Sequence, residues 1–192
     1  MTPATRRRGG DLEAAIFDAV FEQLETTGYR KLTMEGVAAA ARTGKAALYR
    51  RWKSKDELIT DALKHVLPEP PTAPDTGKVR EDLLAILTCT RDTLVACRGA
   101  AFKVLKEETE QGKGLVHEVV HDRLSKPVRD LLYDALLRAA ERGEIRPGAA
   151  TRQIANVGPA VIVYYNLVEG GPLDDAYVAS VVDEVMMPLI RP

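Results

Sequence analysis

Two histidines four residues apart, with a glutamate after the first, form the pattern in this sequence that points to metal chemistry. His117, Glu118 and His121 fit the His-Glu-x-x-His spacing, in which one face of a helix offers two zinc ligands and the glutamate acts as general base. Such a site needs a further ligand, and the remaining histidine, His65, lies far upstream. This pattern keeps a zinc metallopeptidase or a metal-responsive protein as an alternative function for the chain. We expect histidines that line a pocket or pack in a core, no bound metal and no cofactor.

Small side chains beside hydrogen-bond donors around residue 45 suggest a different chemistry, which is contact with DNA. Ala46 and Ala47 would let a helix approach the bases closely, and an alanine methyl can touch the methyl of thymine. Lys45 can reach a phosphate or a guanine edge, and the Thr43 hydroxyl can bond either. This segment therefore has the side chains that a recognition helix needs.

The elements that must position these side chains are helices. Apolar residues recur at the helical period, and Gly28 can end the first helix in a left-handed conformation. Ser54, with Glu57 three residues later, forms a capping box for the fourth. The predicted helices are residues 11–27, a short one opened by Thr33, residues 45–51 after a turn at 42–44, and one that begins at Ser54. Two short helices joined by a tight turn and set on a third form the scaffold that presents a helix to the major groove of DNA.

The rest of the chain also has the helical period, so we predict an all-α protein of about nine helices. A proline-rich loop near residues 68–77 should separate the fourth helix from the fifth. Pro127 lies inside the seventh predicted helix and should kink or divide it. Thr151 is the expected cap of the eighth helix, and Asp174 or its neighbours should start the ninth. The inward stripe of the seventh helix is expected at Val116, Val120, Leu124, Val128, Leu131, Ala135 and Leu136.

Composition and charge limit the class of protein. The chain has 192 residues and is 45% hydrophobic, which is enough to bury a core and excludes a disordered or collagen-like chain. Residues 1–65 carry 12 basic and 9 acidic side chains, whereas residues 66–192 carry 15 and 19, which suggests two separate roles. The first residues lack the apolar stretch of a secretory signal, and no segment is apolar for long enough to span a bilayer. We therefore expect a cytoplasmic protein without membrane contact.

A longer motif gives a resemblance to a known family. The segment Thr33-Met34-Glu35-Gly36-Val37-Ala38, followed by residues 45–58 with Leu48-Tyr49, Trp52 and Ser54-Lys55-Asp56-Glu57-Leu58, resembles the DNA-binding domain of the tetracycline-repressor (TetR) family. The match covers residues 11–65. The family's turn usually reads Gly-Val-Ser, but here it is Arg42-Thr43-Gly44. Either Arg42 adopts a left-handed conformation, unfavourable by about 1 kcal/mol, or the turn is built differently.

The resemblance implies a three-helix helix-turn-helix DNA-binding domain followed by a helical bundle for ligand binding and dimerisation. We divide the chain into a basic arm at residues 1–10, a DNA-binding domain at 11–65 and a ligand-binding and dimerisation domain at 66–192. The expected activity is that of a transcription regulator, a repressor that binds a palindromic double-stranded DNA operator as a homodimer and is released by a small-molecule effector. An enzymatic role is not expected; a helical interaction protein without DNA binding is a further alternative.

The resemblance and the residue types together give three sets of candidate residues. The pattern of the family implies that the Tyr49 hydroxyl points at a backbone phosphate, and we expect Trp52 to pack between the third and fourth helices. The DNA-binding set is Thr33, Arg42, Thr43, Lys45, Ala46, Ala47, Tyr49, Arg50 and Lys55. The ligand-pocket set is Thr90, Cys97, Phe102, His121 and Tyr164. The dimer-interface set is Val157, Val161, Tyr165, Val168, Val178, Val182 and Val185.

Overall fold

The computed structural model describes residues 10–67, 72–97, 104 and 114–192, and these residues form helices and connecting turns. The chain separates into two compact units, one from residues 1–65 and 100–118 and the other from residues 66–99 and 119–192. The predicted arm and the pocket residue Phe102 lie outside the described residues, apart from Gly10 at the end of the arm. None of the described helices has the length and hydropathy needed to cross a membrane.

Four helices of the first unit match the predicted order. They are α1 (Gly10–Thr26), α2 (Met34–Ala40), α3 (Lys45–Tyr49) and α4 (Lys55–Val66). Gly28 has a φ of +80°, as expected for the left-handed residue after a helix. The Thr33 hydroxyl caps α2 by accepting from the Gly36 amide at 3.1 Å. The Ser54 hydroxyl accepts from the Glu57 amide, and the Glu57 carboxylate accepts from the amide of Lys53.

The core of this unit forms around α1. Its inward stripe of Phe17, Val20, Phe21 and Leu24 is buried, as the periodicity predicts. Trp52 is also buried; its indole N–H donates to Asp61 at 2.9 Å, and its ring centroid lies 5.9 Å from that of Phe17. The prediction that Trp52 packs inward is therefore confirmed.

Further helices follow along the described chain, and three wider, π-helical turns lie between or after them. The helices are α5 (Val79–Ala96), α6 (Leu115–Val120), α7 (Lys126–Glu141), α8 (Arg152–Tyr164), α9 (Asp175–Ser180) and α10 (Met187–Ile190). The π-helical turns are His121–Ser125, Tyr165–Glu169 and Val181–Met186. Thr151 caps α8 by accepting from the Ile154 amide, and Asp174 caps α9 by accepting from the Tyr177 amide. Both predicted helix starts are confirmed.

Pro127 lies at the start of α7, where a missing backbone N–H is tolerated. A π-helical turn at His121–Ser125 lies just before it, between α6 and α7. Leu124 and Val128 are buried as expected, but the next buried leucine is Leu132, and Leu131 is only half-buried. Four-residue steps overshoot a 3.6-residue helix by about 40° each, and the wider turn absorbs part of that overshoot. The predicted stripe was wrong at Leu131 for this reason.

Two ion pairs tie α5 to the end of the chain within the second unit. The Arg80 guanidinium donates two hydrogen bonds to the Asp183 carboxylate, at 2.6 and 2.7 Å. The Arg91 guanidinium donates to Asp175 at 2.8 Å and to the backbone carbonyl of Leu173 at 3.3 Å. The last helices therefore have a fixed position on α5.

Candidate nucleic-acid interface

The short helix α3 has one buried side and one exposed side. Leu48 is 0% exposed and anchors the helix in the first unit. Lys45, Ala46, Tyr49 and Arg50 are exposed on the remaining surface, and Ala47 is half-buried. This division is what a helix needs if it is to present small and hydrogen-bonding side chains to a groove of DNA while staying attached to its own domain.

The turn before α3 is built on a left-handed arginine. Arg42 has a φ of +54°, and among the described residues it is the one non-glycine residue with a positive φ. The Thr43 amide donates to the Ala38 carbonyl at 2.9 Å, and the Arg42 amide donates to the Ala39 carbonyl at 3.1 Å. These two bonds form a Schellman motif, whose left-handed position is usually occupied by glycine. Gly44, in contrast, has extended backbone angles.

The Arg42 geometry decides between the two alternatives that the sequence left open. The turn has the ordinary hydrogen bonds of a helix C-terminus, and Arg42 adopts the left-handed conformation at a cost of about 1 kcal/mol. Its side chain is exposed. Strained residues are often found at functional sites, and Arg42 lies three residues before the start of α3.

Two predicted DNA contacts, Lys45 and Tyr49, meet at the same carboxylate. The Tyr49 hydroxyl donates to Glu35 Oε1 at 3.3 Å, and Lys45 Nζ lies 3.6 Å from the same oxygen. A backbone hydrogen bond at Glu35, together with Lys45 and Tyr49, lowers the pKa of Glu35. Desolvation and the Glu35 charge raise the pKa of Tyr49. Glu35 is therefore ionised and Tyr49 is protonated at neutral pH.

Lys55 has a different environment from the other predicted DNA contacts. Its ammonium donates to the Tyr29 carbonyl at 2.9 Å and lies 4.2 Å from the centroid of the Tyr29 ring. The side chain is half-buried. These contacts hold the start of α4 against the loop after α1, and the expected role of Lys55 as a phosphate contact at a helix start stays a prediction. Thr33, whose hydroxyl caps α2, remains exposed.

Within the part of the chain that the structure describes, the histidines of the His-Glu-x-x-His pattern do not lie in a group that could hold a metal ion. His121 Nδ1 lies 2.9 Å from an Asp122 oxygen, and His121 Nε2 lies 3.3 Å from the Arg129 guanidinium. A guanidinium beside a ring nitrogen opposes metal binding there, because it donates to the lone pair that a metal would use. Within the described residues, no three histidine, cysteine or acidic side chains are grouped closely enough to hold a metal ion. The zinc-peptidase alternative is therefore not supported.

The candidate pocket residues lie in different surroundings. Thr90 and Cys97 are buried, and the Thr90 hydroxyl donates to the Ile86 carbonyl of its own helix at 2.9 Å. The His121 side chain is 44% exposed and Tyr164 is 59% exposed, so they are surface residues of the single chain. His121 is half-buried as a whole residue, and its place in a pocket stays a prediction.

The candidate dimer-interface residues also divide into two groups. Val178 and Val182 are 0% exposed within one chain; they belong to its own core and have no surface left to give to a partner. This corrects their assignment. Val168 is 61% exposed, and the other four are half-buried: Val157, Val161, Tyr165 and Val185.

An exposed apolar stripe along α8 was only partly predicted. Tyr164 and Leu167 are exposed next to Val168, and they continue the helical spacing of Val157 and Val161. The period alone could have placed Tyr164 on this surface.

Comparison with known proteins agrees with this architecture. Residues 16–62 match the model of bacterial regulatory proteins of the tetR family, and residues 73–185 match that of the tetracyclin repressor-like C-terminal domain. The DNA-binding transcriptional repressor TetR of Mycobacteroides abscessus is 33% identical over 186 residues, covering 96% of this chain and 97% of the relative. An HTH-type transcriptional regulator of Mycobacterium bovis is 28% identical over 178 residues, covering 92% and 86%.

A solved structure of a TetR-family regulator from a Rhodococcus species superposes with a TM-score of 0.73. It covers 92% of this chain and 100% of that one at 17% identity, so it supports the fold alone. The two family models cover both parts of the chain, and the relatives match nearly its whole length. The chain belongs to the TetR family of DNA-binding transcription regulators.

Proposed function

We propose that this regulator is a repressor that binds a palindromic operator as a homodimer and leaves it when a small molecule binds. The observation that carries the DNA-binding part is the exposed face of α3, which Leu48 anchors and which the Arg42 turn orients. The M. abscessus relative is a DNA-binding transcriptional repressor by name, which supports repression as the direction of regulation. A protein that acts on genomic DNA would work in the cytoplasm.

The proposed contacts follow from the chemistry of each exposed side chain. Lys45, Arg42 and Arg50 would bind phosphates or a guanine edge, and the Tyr49 hydroxyl would donate to a phosphate. Ala46 would allow close approach to the bases. The hydroxyls of Thr33 and Thr43 and the methyl of Ala47 complete the proposed surface. Lys55 would contribute at the start of α4, where free backbone amides and the helix dipole favour a phosphate, while its ammonium also donates to the Tyr29 carbonyl.

The exposed stripe on α8 supports a self-associating surface. Tyr164, Leu167 and Val168 are large apolar side chains that one chain leaves in water, and contiguous patches of this kind mark protein interfaces. A two-fold dimer through this stripe would give two copies of α3, which bind half-sites about 34 to 36 Å apart. Half-buried Val157 and Val161 would extend the same interface.

The proposed binding site for the effector lies in the second unit. Thr90 is a buried polar residue of α5, and with Cys97 it would give a largely apolar pocket a polar contact. A ligand releases DNA only if it binds more tightly to the conformation whose α3 helices no longer match the half-site spacing. We therefore expect a small, mostly apolar effector.

Selection of bound sequences from a random DNA pool would test the proposal. The enriched sequences should form an inverted repeat whose half-site centres are about one helical turn apart. A footprint over one asymmetric site would contradict the dimer. Binding that shows no preference for any sequence, and no dependence on salt, would contradict the function as a whole.

A further inference from the structure

Glu35 holds the two side chains of α3 that we propose as phosphate contacts. The Tyr49 hydroxyl and the Lys45 ammonium both approach its Oε1, at 3.3 and 3.6 Å. All three side chains are accessible to solvent: that of Glu35 is 46% exposed, that of Lys45 is 65% exposed, and Tyr49 is 48% exposed. The cluster therefore lies on the surface that would face DNA.

A carboxylate oxygen and a phosphate oxygen make the same kind of charge-assisted contact with an ammonium or a hydroxyl. Glu35 thus takes, in the free protein, the place that a backbone phosphate would take in the complex. We infer that Glu35 is an internal competitor for DNA phosphate, which sets the strength and the salt dependence of backbone binding. This inference rests on the proposed contacts of Lys45 and Tyr49.

Two consequences follow when DNA displaces the carboxylate. The ion pair with Lys45 is lost, and the free carboxylate then lies beside a polyanion, which repels it. A cation must associate with Glu35 or remain near it, so fewer cations are released overall than the number of phosphates contacted. Glu35 therefore weakens backbone binding and makes it less sensitive to salt.

The variant that tests this inference is Glu35→Gln, which keeps an acceptor oxygen for Tyr49 and removes the charge. The probe is a fluorescent random-sequence duplex of about 30 base pairs, titrated at several salt concentrations. Glu25→Gln is the matched control, because Glu25 is an exposed acidic residue of α1 in the same unit. Glu35→Gln should bind about fivefold more tightly at low salt, with a slope against log salt steeper by up to about 0.9. Glu25→Gln should leave the slope unchanged.

A double-variant background shows whether Glu35 acts through α3. In Lys45→Ala plus Tyr49→Phe, the further change Glu35→Gln should give a smaller gain than in the wild type, because only the repulsion between the carboxylate and DNA is left to relieve. A gain as large as in the wild-type background would overturn the inference. Equal effects of Glu35→Gln and Glu25→Gln on affinity and slope would also overturn it. Weaker binding by a Glu35→Gln protein with wild-type circular dichroism and melting temperature would overturn it too.

If the wild-type chain shows no salt-dependent binding, the proposed function fails as well. If the wild type binds and the slopes of Glu35→Gln and Glu25→Gln coincide, this inference alone fails.

Discussion

The Thr43 amide reaches back 2.9 Å to the carbonyl of Ala38, and this bond closes the turn between α2 and the proposed recognition helix. It requires the residue before Thr43 to be left-handed. A glycine there would satisfy the geometry without strain, yet the chain has an arginine. The arginine would add a positive charge to the proposed DNA interface, and its left-handed conformation lowers the stability of the turn.

Replacement of Arg42 with glycine should separate these two effects. Arg42→Gly is expected to raise the free energy of unfolding by up to about 1 kcal/mol, because it removes the strained left-handed side chain, and to weaken DNA binding through loss of the charge. Urea denaturation and duplex titration measure the two quantities. Arg42→Ala is the matched control: it loses the same charge but keeps the strain, so it should weaken binding without the gain in stability. Equal stability of the two variants would show that the strain is absent.

Replacement of Lys45 with alanine should weaken binding to every duplex by a similar factor. A lysine that neutralises one phosphate contributes about 0.9 to the slope of log affinity against log salt, so the slope should become shallower by up to that amount. Titrations of an operator and of a random duplex measure both effects. Lys64→Ala removes the same charge from α4, where Lys64 Nζ lies 3.9 Å from Asp61, and should change the slope little. A loss confined to the operator would instead assign Lys45 to a base edge.

The sequence predicted the elements of the DNA-binding unit well because its signals are local. Capping residues such as Thr33 and Ser54, and a left-handed glycine such as Gly28, act within a few residues of themselves. The contact between Lys55 and Tyr29 could not be predicted in this way. The Lys55 ammonium meets a carbonyl and a ring that lie 26 residues earlier, and no local pattern indicates that contact.

The second unit shows what helical periodicity leaves undetermined. A stripe identifies residues that share a face, but it does not say whether the chain itself or a partner covers that face. Their apolar character predicts Val178 and Val168 in one interface, yet Val178 is 0% exposed and Val168 is 61% exposed. The shift from Leu131 to Leu132 has another cause, since a π-helical turn changes the period itself.

Replacement of Val168 with lysine should separate the proposed dimer into protomers. Each protomer would lose about 1.5 kcal/mol or more of apolar burial and would bring a charge into the interface, so the dissociation constant should rise at least about 100-fold. Analytical ultracentrifugation measures this change. Val95→Lys is the control, because Val95 is a valine of α5 with a similar exposure of 57%. Dissociation by Val95→Lys, or an intact dimer of Val168→Lys, would place the interface elsewhere.

Asp130 should make the stability of the second unit depend on pH in the acidic range. Its carboxylate accepts hydrogen bonds from Lys126 and Arg152, each at 2.8 Å, and these bonds lower its pKa from 3.8 to about 2. Because the native pKa lies below the unfolded one, the stabilisation is complete above about pH 4 and is lost as the pH falls toward 2. Asp130→Asn should therefore melt at a lower temperature than the wild type at pH 6, and the difference should shrink as the pH falls to 2. Glu141→Gln, at an exposed acidic residue at the end of α7, should not show this convergence; a difference for Asp130→Asn that stayed constant with pH would contradict the assigned ion pairs.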